Sequence, residues 1–118
     1  MTYDSNNVFA KILRKEIPCK KIYEDDQVLS FYDINPKAKI HALVITKGSY
    51  QNFQELITMG KPQEIQGFLT GILSVVKTLN LDADGYRIVM NTGTNSGQEV
   101  PHLHAHILGG EKLSCDHL

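Results

Sequence analysis

The stretch PHLHAHILGG, Pro101 to Gly110, decides how this chain is read. Three of the five histidines sit in it, at His102, His104 and His106. In a strand, alternate residues face the same way, at roughly 6.6 to 7 Å per two-residue step. All three imidazoles would then share one face. In a helix, His102 and His106 would share a face while His104 pointed away. Pro101 ahead, Gly109-Gly110 behind and the alternating Leu103, Ala105 and Ile107 argue for the strand. One face is then apolar and packed, and the other is a row of imidazoles.

Working outward, YRIVMN reads as another strand, joined to the histidine strand by the glycine-rich loop TGTNSGQEVP. NFQELITMGKPQEIQGFLTGILSVVKTLNL is the helical part, with Pro62 suited to a first helical turn. Ile65, Phe68, Leu69, Ile72, Leu73, Val76 and Leu79 follow helical spacing and form the expected inner face. KIHALVITK alternates, with His41, Leu43 and Ile45 on one side and Ala42 and Val44 on the other. KKIYEDDQVLSFYDINP reads as two strands around an acidic turn. SNNVFAKILRKEIP reads as a short helix that stops by Pro18 and carries Val8, Phe9, Ile12 and Leu13 on one face. The expected fold class is α+β: one domain spanning residues 1–118, with five antiparallel strands, one short and one long helix, and the helices on one side of the sheet.

Composition narrows the function classes. The chain has 118 residues, enough to bury a core without disulfides or a structural metal. Twelve basic and 13 acidic residues leave a net charge of −1. No long-range field draws in a nucleic-acid backbone or an anionic membrane, so neither is expected as a partner. Cys19 and Cys115 are the only cysteines and form neither a disulfide framework nor a metal knuckle. Two free thiols, a polar start and no apolar run of spanning length indicate a cytoplasmic protein.

Three readings of the histidines compete. One is a polar strand face without function, which repeated alternation argues against. A second is a metal site, since imidazole is the commonest metal ligand and His41 could add a nitrogen. The third is nucleophilic catalysis. A neutral imidazole has one free lone pair, provided its other nitrogen keeps its proton. Asn91, Gly93, Ser96, Gly97, Gln98 and Glu99 offer the exposed amides and small residues that cradle phosphate oxygens. Taken singly, these residues have plainer roles. Asp33 before Ile34-Asn35-Pro36 reads as a turn residue, His41 as a structural strand residue, and Asn91 as a strand-end cap.

HLHAHIL fits His-φ-His-φ-His-φ-φ, with φ apolar, and resembles the histidine triad (HIT) nucleotide-binding family. FYDINPKAKIHALVITK, GYRIVMNTGTNSGQEV and HLHAHILGG together resemble its Hint branch, in order and separation. His106, where the uridylyltransferase branch carries glutamine, argues against that branch. The resemblance implies a homodimer, with the sheet extended across it. It also implies hydrolysis of the P–N bond of purine nucleoside 5′-phosphoramidates through a nucleotidyl-histidine, with no cofactor. By the same resemblance, His104 is the nucleophile, and His106 contacts the phosphate and assists proton transfer. His102 and His41 form a supporting imidazole network. Asp33 holds the ribose hydroxyls of an AMP-like ligand, and Ile34 lines the nucleoside pocket. Asn91, Gly97, Gln98 and Glu99 meet the phosphate, Glu99 through its backbone N–H. The chain departs from relatives in three places. Asn7 and Ala10 stand where many carry a Cys-x-x-Cys pair that helps bind zinc, so no structural zinc is expected. Pro101 stands where an aromatic residue is common. The tail EKLSCDHL, which in this branch reaches toward the partner's site, is short and lacks tryptophan. A binding protein with little turnover, a metalloenzyme on the same histidines and a dinucleoside polyphosphate hydrolase are the alternatives.

Overall fold

A computed structural model describes residues 2–117. The first helix, α1 (Val8–Leu13), begins at Asn7, whose side chain accepts from the Ala10 N–H. It ends well before Pro18. Lys15 turns left-handed at φ 64°, and the Glu16 N–H reaches back to the Lys11 carbonyl, closing the helix. Phe9, Ala10 and Ile12 are buried, while Val8 faces outward.

Strands β1 (Lys21–Glu24), β2 (Val28–Tyr32) and β3 (Ile40–Thr46) follow. Asp25 makes the β1–β2 turn by accepting from the backbone of both Gln27 and Val28. The helical region divides into α2 (Phe53–Met59) and α3 (Pro62–Thr78), so the described residues hold two short α-helices, α1 and α2, beside the long α3, where one short helix was expected. Pro62 supplies the break, because proline suits a helix's first turn and cannot continue the one before it. Strands β4 (Tyr86–Val89) and β5 (His104–Gly109) complete an antiparallel sheet in the order β1-β2-β3-β5-β4. The last strand opens at His104, two residues later than its alternation suggests.

The sheet is covered on both faces, where the sequence pattern suggested one. Helices α2 and α3 lie on one face, where Phe68, Ile72, Val75 and Val76 pack against Val28, Ala42, Val44, Ala105 and Ile107. Helix α1 lies on the other, where Phe9 and Ile12 meet Leu29, Phe31, Leu43 and Ile45. The two-residue period sorts these sets, because neighbouring strands are paired so that odd positions of β2 and β3 meet on one side. The inner face of α3 is rotated from the expected one. Val75 and Gly71 are buried, whereas Leu69 and Leu73 are exposed. Gly71 permits that rotation. A Cβ there would lie 2.6 Å from a Val28 methyl.

Candidate active site

Pairing of β3 with β5 sets the site. Ile45 lies opposite His104, Leu43 opposite His106, and His41 opposite Leu108. His41, His104 and His106 therefore share the α1 side of the sheet. The floor is central sheet, with β3 and β5 each flanked by a strand on both sides. They line a cavity of about 400 Å³ together with Asp33, Asn91 and Gly97.

Each ring has a proton arrangement dictated by a group that can only donate or only accept. His104 Nδ1 lies 2.6 Å from the carbonyl of His102. A carbonyl only accepts, so Nδ1 carries the proton and the Nε2 lone pair is free. Phe9 packs edge-on against the His104 ring, with centroids 5.0 Å apart. Burial pushes the His104 pKa below the ordinary imidazole value, with the hydrogen bond to His102 and the nearby Asp33 charge opposing. The ring is neutral at pH 7.

His41 is fixed from the other direction. The Lys37 backbone N–H donates to its Nδ1 at 3.0 Å, so Nε2 carries the proton. Nε2 lies 2.9 Å from His106 Nδ1 and 3.5 Å from Asp33 Oδ2. His106 accepts at Nδ1 and carries its own proton on Nε2. Desolvation, then the neighbouring His104 and His41, hold the His106 pKa down to about 4. Burial also lowers that of His41. The result is one ring with a free lone pair beside one with a free N–H. Their centroids are 5.1 Å apart.

His102 lies outside the cavity. It is fully buried ahead of β5, and its Nε2–H donates to the Thr46 carbonyl at 2.7 Å. Its Nδ1 accepts from the Tyr3 hydroxyl at 2.5 Å. It touches His104 through its backbone carbonyl. Ile34 is 92% exposed and does not line the cavity, although its neighbour Asp33 does. Asp33 Oδ1 accepts from the Asn35 N–H and closes that turn, leaving Oδ2 toward His41.

Asn91, Gly97, Gln98 and Glu99 all line the cavity. Gly93 and Gly97 take φ of 80° and 83°, the left-handed region that favours glycine, around a 3-10 turn at Thr94–Ser96. The Gln98 side chain secures this loop. Its Oε1 accepts from the Gly93 N–H, and its Nε2 donates to the carbonyls of Gln51 and Val100. Gln98 thereby shapes the loop, and exposed backbone around Gly97 faces the cavity. Sequence reasoning missed Tyr3, Thr46, Lys37 and Phe9. None is near the triad in sequence, and no spacing pattern marks them. His117, the fifth histidine, also lines the cavity. The tail returns to the site of its own chain, where Arg87 donates to the Ser114 carbonyl.

The donor set suits a metal poorly. Asp33, His41 and His106 bring ligand atoms within 4.8 Å of one another. The Lys37 N–H occupies His41 Nδ1, however, so His41 Nε2 keeps its proton and offers no lone pair. At the N-terminal positions, the Asn7 oxygen caps α1 and its amide donates to the Tyr3 hydroxyl, while Ala10 has no ligand atom. These residues do not form the zinc pair of relatives.

The sequence profile of the HIT domain family matches residues 14–113. A HIT-like protein of Helicobacter pylori is 51% identical over 106 residues, covering 90% of this chain and 98% of that protein. A 14 kDa zinc-binding protein of Zea mays is 41% identical, covering 94% of this chain and 87% of its own length. Among solved structures, a histidine triad protein from Clostridium difficile superimposes with a TM-score of 0.85 at 39% identity, over 96% of this chain and 97% of that one. A HIT family hydrolase from Legionella pneumophila gives 0.85 at 33% identity, over 93% and 97%. Sharing with these proteins both its sequence, over almost all its length, and its five-stranded sheet, the chain belongs to the HIT domain family.

Proposed function

We propose that this protein hydrolyses the P–N bond of purine nucleoside 5′-phosphoramidates, as the Hint branch does. The observation that carries the reading is the His104 ring. Its Nδ1–H is tied to a carbonyl, and its free Nε2 lone pair lines a cavity that also holds Asp33 and the glycine loop. Nε2 attacks the α-phosphorus. The P–N bond breaks, and the amine leaves with a proton drawn from solvent. In the nucleotidyl-histidine the imidazole ring is cationic, with Nδ1–H still bonded to His102, and can leave as neutral imidazole. Water then attacks phosphorus, the P–N bond to His104 breaks, and the water proton returns to solvent. Two easier displacements replace one hard one.

Neutral His106 donates from Nε2 to one phosphate oxygen and the Glu99 backbone N–H to another, while the Gly97 and Gln98 N–H groups hold the loop's own turn through the Thr94 and Gly93 carbonyls. These dipoles are in place before charge develops and need little reorganisation. In this reading Asp33, which lines the cavity, accepts from a ribose hydroxyl. A metal is not needed in this scheme.

A homodimer fits the outer edge of the sheet. Strand β4 has an open edge, with Tyr86, Ile88 and Met90 exposed. Ile88 pairs with Ile107, whose side chain belongs to the α3 side, and exposed Leu69 and Leu73 lie on α3. A second copy pairing β4 with β4 would cover both backbone edge and apolar side chains. Two exposed free thiols, Cys19 and Cys115, suit the cytoplasm, which we propose as its setting.

The test is release of AMP from adenosine 5′-phosphoramidate with chelator present. Wild type turns over, and His104→Ala falls by roughly 10³-fold or more while still binding AMP. Equal turnover by both proteins would refute the assignment of the nucleophile. Binding without wild-type turnover would favour a nucleotide-binding protein.

A further inference from the structure

Four histidines line or adjoin the cavity floor, and His102 does so only through its backbone. Its imidazole is nonetheless completely buried, with both nitrogens engaged. The partner on Nδ1 comes from 99 residues away, Tyr3, in the extended segment ahead of α1. The Tyr3 oxygen is itself oriented. The Asn7 amide donates to it at 2.9 Å, so its own proton points to His102. The Asn7 side-chain oxygen accepts from the Ala10 N–H and caps α1. The chain of bonds runs Asn7 to Tyr3 to His102, and the His102 carbonyl then takes the Nδ1–H of His104 at 2.6 Å. Thr46, at the end of β3, holds the far side of the His102 ring.

This arrangement does more than fill space. His102 lies just outside β5, where ladder bonds do not pin its carbonyl. Its backbone N–H makes only a tight turn to the Val100 carbonyl. The carbonyl under His104 is held from two sides: the Leu103 N–H of the same peptide group donates to the Tyr50 carbonyl at 2.7 Å, and the His102 side chain is clamped at both nitrogens. A clamp made of one donor and one acceptor also admits a single tautomer of His102. Linked hydrogen bonds in a dry interior reinforce one another. Losing the Tyr3 hydroxyl would leave His102 Nδ1 buried without a donor, and the ring would turn or switch tautomer to recover one.

We propose that Tyr3, oriented by Asn7, is a positioning residue: through His102 it holds the His104 ring in the tautomer whose Nε2 is free to attack. The proposal rests on the reading of His104 as the nucleophile. The N-terminal segment is then part of the active site although it lines none of the cavity. A hydrogen-bonded chain from Asn7 through Tyr3 tethers this segment to the site.

The test is ¹⁵N NMR of the imidazole nitrogens in wild type and Tyr3→Phe, alongside kcat and KM for adenosine 5′-phosphoramidate. Tyr3→Phe keeps the ring, which packs edge-on against His102 with centroids 5.6 Å apart, and removes only the oxygen. The expected result is His104 as Nδ1–H in wild type and a mixture of tautomers in the variant. With it, kcat falls roughly 10-fold or more while KM stays within about twofold. Asn7→Ser retains a cap for α1 but loses the donor to Tyr3, and shifts the tautomer the same way by less. It also serves if Tyr3→Phe does not fold. Arg14→Ala removes the bond from Arg14 to the Ser5 carbonyl, loosening the same segment outside the relay, and leaves tautomer and kcat unchanged. An unaltered His104 signal in a Tyr3→Phe protein that is merely less stable overturns the proposal. A shifted signal in a protein without phosphoramidase turnover leaves the relay standing and defeats the assigned reaction instead.

Discussion

The two faces of the sheet use the same strands for opposite purposes. On the α3 side, β3 and β5 present Ala42, Val44, Ala105 and Ile107, which meet Phe68, Ile72, Val75 and Val76 with almost no polar group. On the α1 side, the same strands present His41, His104 and His106 among Leu43, Ile45 and Phe9. Burial is comparable on the two faces, yet its consequence differs. Apolar burial stabilises in proportion to area and tolerates small displacements. Buried imidazoles destabilise unless every nitrogen finds a partner, and satisfying them fixes one geometry. One face holds the sheet together, and the other holds three proton positions. Short α1 leaves the second face only partly covered, and the uncovered part is the cavity.

That contrast can be broken from either side. The largest effect on stability should come from the dry face. Phe68 is 2% exposed, and Phe68→Ala should cost about 3–5 kcal/mol in urea unfolding. Turnover per folded molecule should hold, and a matching loss of activity in the folded fraction would show that the two faces are coupled.

Acid should act on the other face. Burial holds His102 at about 4 in the native state, against 6.5 for a free imidazole. Between these values the unfolded chain takes up a proton that the native chain refuses. Stability is therefore highest above pH 6.5 and declines as pH falls toward 4, by about 3 kcal/mol for His102 alone. The lowered values at His41, His104 and His106 act in the same direction. Urea midpoints across this range should slope downward toward acid, and His102→Gln should flatten the slope. A flat wild-type profile would mean that the rings are already charged in the native state.

The smallest effect sharpens the contrast most. Ser30 is buried in β2, in register with Val44 of the dry face, and its hydroxyl has no hydrogen-bond partner among the described residues. Ser30→Ala should be neutral or stabilising by up to about 1 kcal/mol in thermal unfolding. A polar group removed from the apolar face does no harm, whereas one removed from the histidine face disrupts a network. A loss above that size would mean that Ser30 has a partner in solution.

Much of this was legible along the chain. Alternation in β3 and β5 located the strands, put His104 and His106 on one face of β5 and put His41 with Leu43 and Ile45 on one face of β3, because a two-residue period is a local property of extended backbone; that the two faces coincide came only from the pairing of β3 with β5. Asn7, Pro62 and the Asp25 turn marked boundaries for equally local reasons. Less legible was the burial along α3. Leu69 and Leu73 share helical spacing with true core residues, and only the close approach of Gly71 to Val28 turns Val75 inward instead. The side of the sheet on which α1 packs was not legible either, since a short amphipathic helix carries no mark of which surface will receive it.

The sequence alone therefore determined which residue types stand together on the last strand and on the glycine loop, because neighbours two apart in a strand must share a face. Only the tertiary structure decided the proton on each ring. That depends on whether a carbonyl or an N–H arrives at a given nitrogen: Thr46 and Tyr3 reach His102, and His41 reaches His106, from distant parts of the chain, while Lys37 and the His102 carbonyl are near in sequence to His41 and His104 and meet them through the folded backbone. A histidine's chemistry lies in the identity of its partner, and spacing cannot supply one from across the fold.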